Sequence, residues 1–125
     1  MAAAVSPADI DEQHHVNNAV YLRWVQEIAI AHWKSLASVE AQSEIGWVVL
    51  RHEIDYKSPA SLGDEIILRT WVGAASRLKF ERFTEIKRKI DNQLLAQART
   101  VWVPIDPRSG KPTRVSADVR TRFSV

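Results

Sequence analysis

At 125 residues the chain has the length of one domain, enough to bury about two-thirds of its unfolded surface without help from metal or disulfides. It has no cysteine, which excludes disulfide scaffolds, thiolate metal sites, iron–sulfur clusters and a cysteine nucleophile, and its 46% hydrophobic content with five Trp excludes a disordered chain. A net charge of +2, from 17 Lys and Arg against 15 Asp and Glu, argues against a nucleic-acid partner, although a local basic patch would suit a phosphorylated ligand.

Residues 1–7 lack a basic segment and a long apolar stretch, so no signal peptide is expected. No run reaches the roughly 18 apolar residues of a membrane-spanning helix, and no membrane partner is expected. The cysteine-free composition fits the cytoplasm.

Asn17 and Asn18 are good helix caps, and the spacing that follows predicts a helix over 19–36. Val20, Trp24 and Ile28, with Tyr21 and Val25, recur at helical intervals. Arg23, Gln26, Glu27 and Lys34 form a narrow polar stripe, so this helix should be largely enclosed. Arg23 and Glu27, four apart, are placed to pair. Trp24 and Trp33 read most simply as core.

From Gly46 the period changes to two. Leu50, His52, Ile54 and Tyr56 face inward in this reading, and Arg51, Glu53, Asp55 and Lys57 outward. Ser58-Pro59 and Leu62-Gly63-Asp64 mark a connection. Strands follow over 65–75, 78–90 and 94–103, with a turn at 91–93. Pro104, Pro107, Gly110 and Pro112 break the regularity, and 116–123 reads as a short terminal helix. One enclosed helix followed by four strands argues for the α+β class, an antiparallel sheet of sequential neighbours curled around the helix, in a single domain over 1–125.

Residues 9–18 carry the chemistry: Asp9, Asp11, Glu12, Gln13, His14, His15, Asn17 and Asn18 fall within ten positions. The segment ends at a helix N-terminus, where free N–H groups and the positive end of the dipole polarise a carbonyl. Asp and Asn are equally at home in loops and caps. Adjacent His14 and His15 diverge in an extended chain, which disfavours a metal pair. Neither a Gly-x-Ser-x-Gly elbow nor a Gly-rich phosphate loop is present.

The run Asp9-Ile10-Asp11, then His15-Val16-Asn17-Asn18-Ala19-Val20-Tyr21-Leu22-Arg23-Trp24, closely resembles the opening motif of hot-dog-fold thioesterases of the 4-hydroxybenzoyl-CoA thioesterase-like group. Asp11 with His15-Val16-Asn17-Asn18 also resembles the motif of plant acyl-carrier-protein thioesterases. Ile54-Asp55-Tyr56-Lys57-Ser58-Pro59 and Gly63-Asp64-Glu65 match the group's next strand and turn, so the resemblance runs from about 8 to 112. It implies a curved antiparallel sheet wrapped around one long helix, and an acyl-thioester hydrolase that releases a carboxylic acid and a thiol carrier without metal or organic cofactor. The substrate would be an acyl-CoA or acyl-carrier-protein thioester, and the assembly a homodimer or homotetramer.

Residue by residue, the resemblance places Asp11 on the catalytic carboxylate, as nucleophile or as base for a water. The Asn18 N–H falls where the carbonyl oxygen is polarised, and His15 where a His orients groups or moves a proton. Gln13 stands where the plant enzymes carry a water-activating Asn. Gln13, Asn17, His52, Ser76 and Arg77 are the candidate substrate contacts, with Ser76 and Arg77 facing the CoA phosphates. His52 reads more readily as a satisfied core or pocket-lining histidine than as a substrate contact, and the Lys87-Arg88-Lys89 run more readily as a solvated strand face than as a contact to the CoA phosphates. Two departures are the Ala-rich, Pro-interrupted stretch over 1–8 and His14 at a position where the group often has Gly. The competing reading is a non-catalytic acyl-CoA or lipid-binding module on the same fold. A hot-dog dehydratase fits less well, because the His-containing motifs of those enzymes are missing after the helix.

Overall fold

The computed structural model describes residues 1–76, 78–117 and 119–120. A short strand β1 (Ala2–Ala4) and a 3₁₀ turn (Pro7–Asp9) precede the long helix α1 (Asn18–Leu36). Then follow helix α2 (Val39–Glu44) and strands β2 (Gly46–Tyr56), β3 (Glu65–Ala75), β4 (Phe80–Arg88) and β5 (Gln93–Ile105). The strands form one five-stranded antiparallel sheet in the order β1-β3-β4-β5-β2. The expected α+β class, with one long helix and an antiparallel sheet, is therefore what the chain adopts.

The neighbour order differs from the sequence expectation at one strand. β3, β4 and β5 are sequential neighbours joined by short turns, but β2 lies beside β5 rather than β3. The chain leaving β2 stays on β5, because the Lys57 and Ser58 N–H groups both donate to the Leu95 carbonyl, at 2.8 and 3.1 Å. Residues 57–64 then carry the chain to β3, turning at Gly63 with φ +86°. β1 lies at the other edge, with Ala3 opposite Ile66.

Three further details depart from expectation. α2 is an unexpected helix, capped by Ser38, whose Oγ accepts the Ala41 N–H at 3.1 Å. β5 continues through Pro104, which is buried and whose carbonyl accepts the Thr113 N–H at 2.9 Å. The missing proline N–H is tolerated here near the strand end. The expected terminal helix falls partly outside the described residues. Its described part is one turn, closed by the Arg120 N–H on the Ser116 carbonyl at 3.0 Å.

The chain divides into two compact units, and the first comprises Met1–Ala29, Ile54–Thr70 and Thr84–Ala98. Its core gathers Tyr21, Trp24, Val25 and Ile28 of α1 with Ile66 and Leu68 of β3, Ile86 of β4, and Leu95, Ala96 and Ala98 of β5. The buried helix positions recur at intervals of three and four, as the sequence predicts. Burial of Trp24, at 1% exposure, contributes on the order of 4–6 kcal/mol of transfer free energy at about 25 cal/mol per Å². Arg23 and Glu27 pair at 3.4 Å, as expected. The Lys87-Arg88-Lys89 run is engaged in ion pairs: Lys87 with Glu85, Arg88 with Asp91 and Asp64, Lys89 with Glu65.

The second unit comprises Ile30–Glu53, Trp71–Phe83 and the described residues from Arg99 on. Aromatic side chains dominate it. Trp47 meets Trp33 edge-on at 5.4 Å and Phe80 at 5.2 Å, and Trp71 stacks on Phe83. Gly73 is required by this packing, since a Cβ there would lie 2.5 Å from the Phe83 ring. The expected enclosure of α1 does not extend here: Ile30 is 47% exposed and Trp33 only half-buried.

The expected inward face of β2 is less deeply buried than the sequence suggests. Leu50 and Tyr56 are exposed, at 58% and 46%, while His52 and Ile54 are half-buried. Trp47 and Val49 are the half-buried alternating pair before them. Leu50 and Arg51 are thus consecutive exposed residues on this edge strand, while the exposed Tyr56 still packs its ring against Tyr21 of α1.

Candidate active site

The site segment is a tight loop closed on itself. Asp9 accepts the Asn17 N–H on its carbonyl at 2.8 Å, and the Asp11 N–H donates to the His15 carbonyl at 2.9 Å. Ile10 and Val16 form the antiparallel bridge between them. Asp11 is thereby folded back opposite His15, next to the segment that enters α1. His14 turns the loop with φ +64°. This left-handed conformation explains why Gly suits the position, and it strains a β-carbon-bearing residue by on the order of 1–2 kcal/mol.

Asp11 organises this turn. Its Oδ1 accepts the Gln13 N–H at 2.8 Å and the His15 N–H at 3.4 Å. Its Oδ2 makes no hydrogen bond among the described residues. Gln13 and His15 side chains are exposed around it.

Asn17 is the N-cap of α1. Its Oδ1 accepts the Ala19 N–H at 3.0 Å and its carbonyl the Val20 N–H at 2.9 Å. Asn18 is the first helical residue, and its N–H makes no hydrogen bond among the described residues. An unpaired N–H therefore stands at the positive end of the helix.

Asp9 fixes the loop to the helix. Its buried carboxylate accepts the Ser6 N–H at 3.0 Å and the Arg23 guanidinium at 3.2 Å. The Ser6 bond, with help from Arg23, holds its carboxyl below the usual aspartate range. Asp9 is a structural anchor, which distinguishes it from the exposed turn around Asp11.

Residues 56–60, absent from the sequence-derived candidates, complete the surroundings. The Val16 N–H donates to the Ala60 carbonyl at 3.0 Å, and the Ala60 N–H donates to the Tyr21 hydroxyl at 2.9 Å. The Tyr56 hydroxyl donates to the Asn18 carbonyl at 3.3 Å. The Ile54-to-Pro59 motif was the available signal, but its resemblance did not say what it holds.

The structure brings Asp11, Gln13, His15, Asn17 and Asn18 together in the first unit. His52 and Ser76 belong to the second. His52 Nδ1 lies 3.1 Å from the buried Thr100 Oγ1, while Nε2 is buried without a partner. Burial lowers the pKa of this imidazole. Ser76 closes the β3–β4 turn through its N–H on the Lys79 carbonyl at 2.9 Å. With Leu50, Arg51, Lys79, Glu81 and Arg99 it lines an open cleft of about 500 Å³. Arg99 is held there by Glu81, which lies below the usual glutamate range because of that pairing. Arg77 lies outside the described residues.

Residues 5–123 match the model of the thioesterase-like superfamily. The long-chain acyl-CoA thioesterase FadM of Escherichia coli is 25% identical over 119 residues, covering 91% of this chain and 88% of FadM. The crystal structure of YbaW, a probable thioesterase of Escherichia coli, superimposes with a TM-score of 0.81 at 26% identity, covering 98% of this chain and 93% of that one. A 1,4-dihydroxy-2-naphthoyl-CoA thioesterase of Synechocystis shares the fold with a TM-score of 0.83 at 24% identity, covering 98% and 93%. The chain belongs to the thioesterase-like superfamily and is a hot-dog-fold hydrolase of acyl thioesters.

Proposed function

We propose that the chain hydrolyses acyl-CoA thioesters, with Asp11 as the reacting carboxylate and the Asn18 N–H as the donor to the thioester oxygen. The observation that carries this reading is the hairpin of residues 9–17, which pairs Asp11 with His15 and delivers the chain to the unpaired Asn18 N–H at the start of α1. At most about 10 Å of chain separates His15, opposite Asp11, from Asn18. The thioester would lie with the carboxylate on one side and the helix N-terminus on the other. Negative charge developing on its oxygen meets a donor already in place.

Two routes start from this arrangement. Asp11 Oδ2 attacks the carbonyl carbon, the thiolate leaves and takes up a proton, and water then cleaves the mixed anhydride. Alternatively Asp11 removes a proton from a water whose oxygen attacks the same carbon. Both consume one water and give one acid and one thiol. His15 serves orientation or proton transfer, and Gln13, Asn17 and His52 are the proposed substrate contacts.

Coenzyme A as the carrier is supported by the relatives whose names specify CoA thioesters. The cleft at Ser76 adds a basic lining of Arg51, Lys79 and Arg99, with Arg51 paired to Glu53 and Arg99 to Glu53 and Glu81. Ser76 and Arg77 are assigned to the carrier phosphates. The assembly is a homodimer or a pair of dimers. β2 is an edge strand with Val48 and Leu50 exposed at 47% and 58%, and an unpaired edge of that length is a template for a second copy. The compartment is the cytoplasm.

Thiol release measured across acyl-CoA chain lengths, aromatic acyl-CoAs and matched acyl-carrier-protein thioesters tests the reading. Turnover of at least one CoA thioester is expected. Binding without thiol release would indicate the non-catalytic module instead, and turnover of carrier-protein thioesters alone would move the substrate class. Light scattering should give a multiple of 14.2 kDa; the monomer mass at micromolar concentration would contradict the assembly.

A further inference from the structure

Three hydrogen bonds run from residues 56–60 to the two segments that build the site. Two are internal: Val16 N–H on the Ala60 carbonyl at 3.0 Å, and Ala60 N–H on the Tyr21 hydroxyl at 2.9 Å. Val16, Tyr21 and Ala60 are all buried, so this pair fixes the loop and the helix to a common point. The third is different. Tyr56 is 46% exposed, and its hydroxyl reaches the first helical residue, donating to the Asn18 carbonyl at 3.3 Å. Its ring is held edge-on against Tyr21 at 5.3 Å and 84°, which aims the hydroxyl without restraining it by burial.

The first turn of a helix is its loosest part, because its N–H groups have no partners within the helix and its ends fray. A donor that must meet a developing oxyanion tolerates only about 0.5 Å or 10–20° of misplacement. Asn17 holds the turn from its own side through Ala19 and Val20. Among the described residues Tyr56 is the side chain outside the loop and helix that bonds to the Asn18 backbone. The 3.3 Å separation is long for O–H···O, and such contacts commonly tighten when substrate is bound.

We propose that Tyr56 is a positioning residue for thioester hydrolysis: its hydroxyl, bonded to the Asn18 carbonyl, orients the first turn of α1 and so aims the Asn18 N–H. This rests on the reading of Asn18 as the carbonyl donor. Tyr56 touches no reacting atom; it acts through the peptide groups on either side of Asn18. The loss from removing it should therefore appear in kcat, when charge develops on the oxygen, and not in KM.

Tyr56→Phe keeps the ring and its contact with Tyr21 and deletes only the hydroxyl. In the intact enzyme with its best acyl-CoA, kcat should fall about three- to ten-fold, the scale of one lost hydrogen bond, with KM and thermal midpoint unchanged. Asp11→Asn, measured in parallel, reports on the site itself. If Tyr56→Phe keeps the parental kcat while Asp11→Asn has lost activity, the positioning role is wrong and the site reading stands. A Tyr56→Phe loss that comes with a lower thermal midpoint or a raised KM equally overturns it. If Asp11→Asn remains active, the site reading fails and the role of Tyr56 falls with it.

Discussion

The hydroxyl of Tyr21 accepts the N–H of Ala60 at 2.9 Å, across 39 positions of sequence and inside the core. Burial pushes the Tyr21 phenol up, so it stays protonated. Through this bond the helix that carries Asn18 and the loop after β2 hold one another in register, and Val16 joins the same loop from the other side.

Tyr21→Phe leaves the Ala60 N–H buried with no acceptor. Such an orphaned donor costs about 1–3 kcal/mol. Urea denaturation should show that loss with an unchanged slope, and a loss below about 0.5 kcal/mol would contradict the assignment.

Asp9→Asn removes the charge that Ser6 and Arg23 stabilise. Asp9 titrates below its ordinary value of 3.8 in the folded chain. Its contribution is therefore complete above that value and is lost as pH falls through the folded pKa. The variant should be less stable by about 1–3 kcal/mol at pH 7, and the gap should narrow on acidification below about pH 4. A gap of constant size across that window would show that the charge is irrelevant.

His52 carries the opposite kind of group with the same sign. Burial lowers its pKa below 6.5, so protonation favours the unfolded chain. Stability should be full above that value and decline as pH falls from 7 toward 5. His32, lowered by burial and then by the Arg82 charge, adds to the slope. His52→Gln should flatten this limb in part, and NMR titration should place the His52 midpoint below 6.5. A midpoint above it would contradict the burial argument.

Arg77→Ala should raise KM for acyl-CoA about two- to five-fold, the scale of one exposed charge pair, with less effect on kcat. The effect should shrink as salt is added. A change confined to kcat would remove Arg77 from the carrier contacts.

How much of this was readable beforehand divides along the range of the interactions. The spacing of Tyr21, Trp24, Val25 and Ile28 is local, so helix and buried face follow from it. Asp11, Asn17 and Asn18 are likewise within eight positions, and their loop was readable as a helix entrance. The place of β2 was not, because it depends on pairing with β5, some forty residues away. That misplacement is why Leu50 read as enclosed: on an edge strand apolar character does not decide how deeply a residue is buried. The six residues of α2 are too few to show a period. Tyr56 reaches the helix start through one long-range bond and Ala60 holds Val16 and Tyr21 through two, which leave no pattern in either segment.

If Asp11 performs the chemistry while Asp9 holds the loop, the two aspartates separate on substitution. The most direct measurement is kcat of Asp11→Asn and Asp9→Asn beside the parent enzyme on its best acyl-CoA. At least about a hundredfold loss is expected for Asp11→Asn, the low end for a positioned acid–base group, with fold and assembly retained, and a smaller loss for Asp9→Asn. Near-parental kcat in Asp11→Asn, with activity abolished in Asp9→Asn, would contradict it.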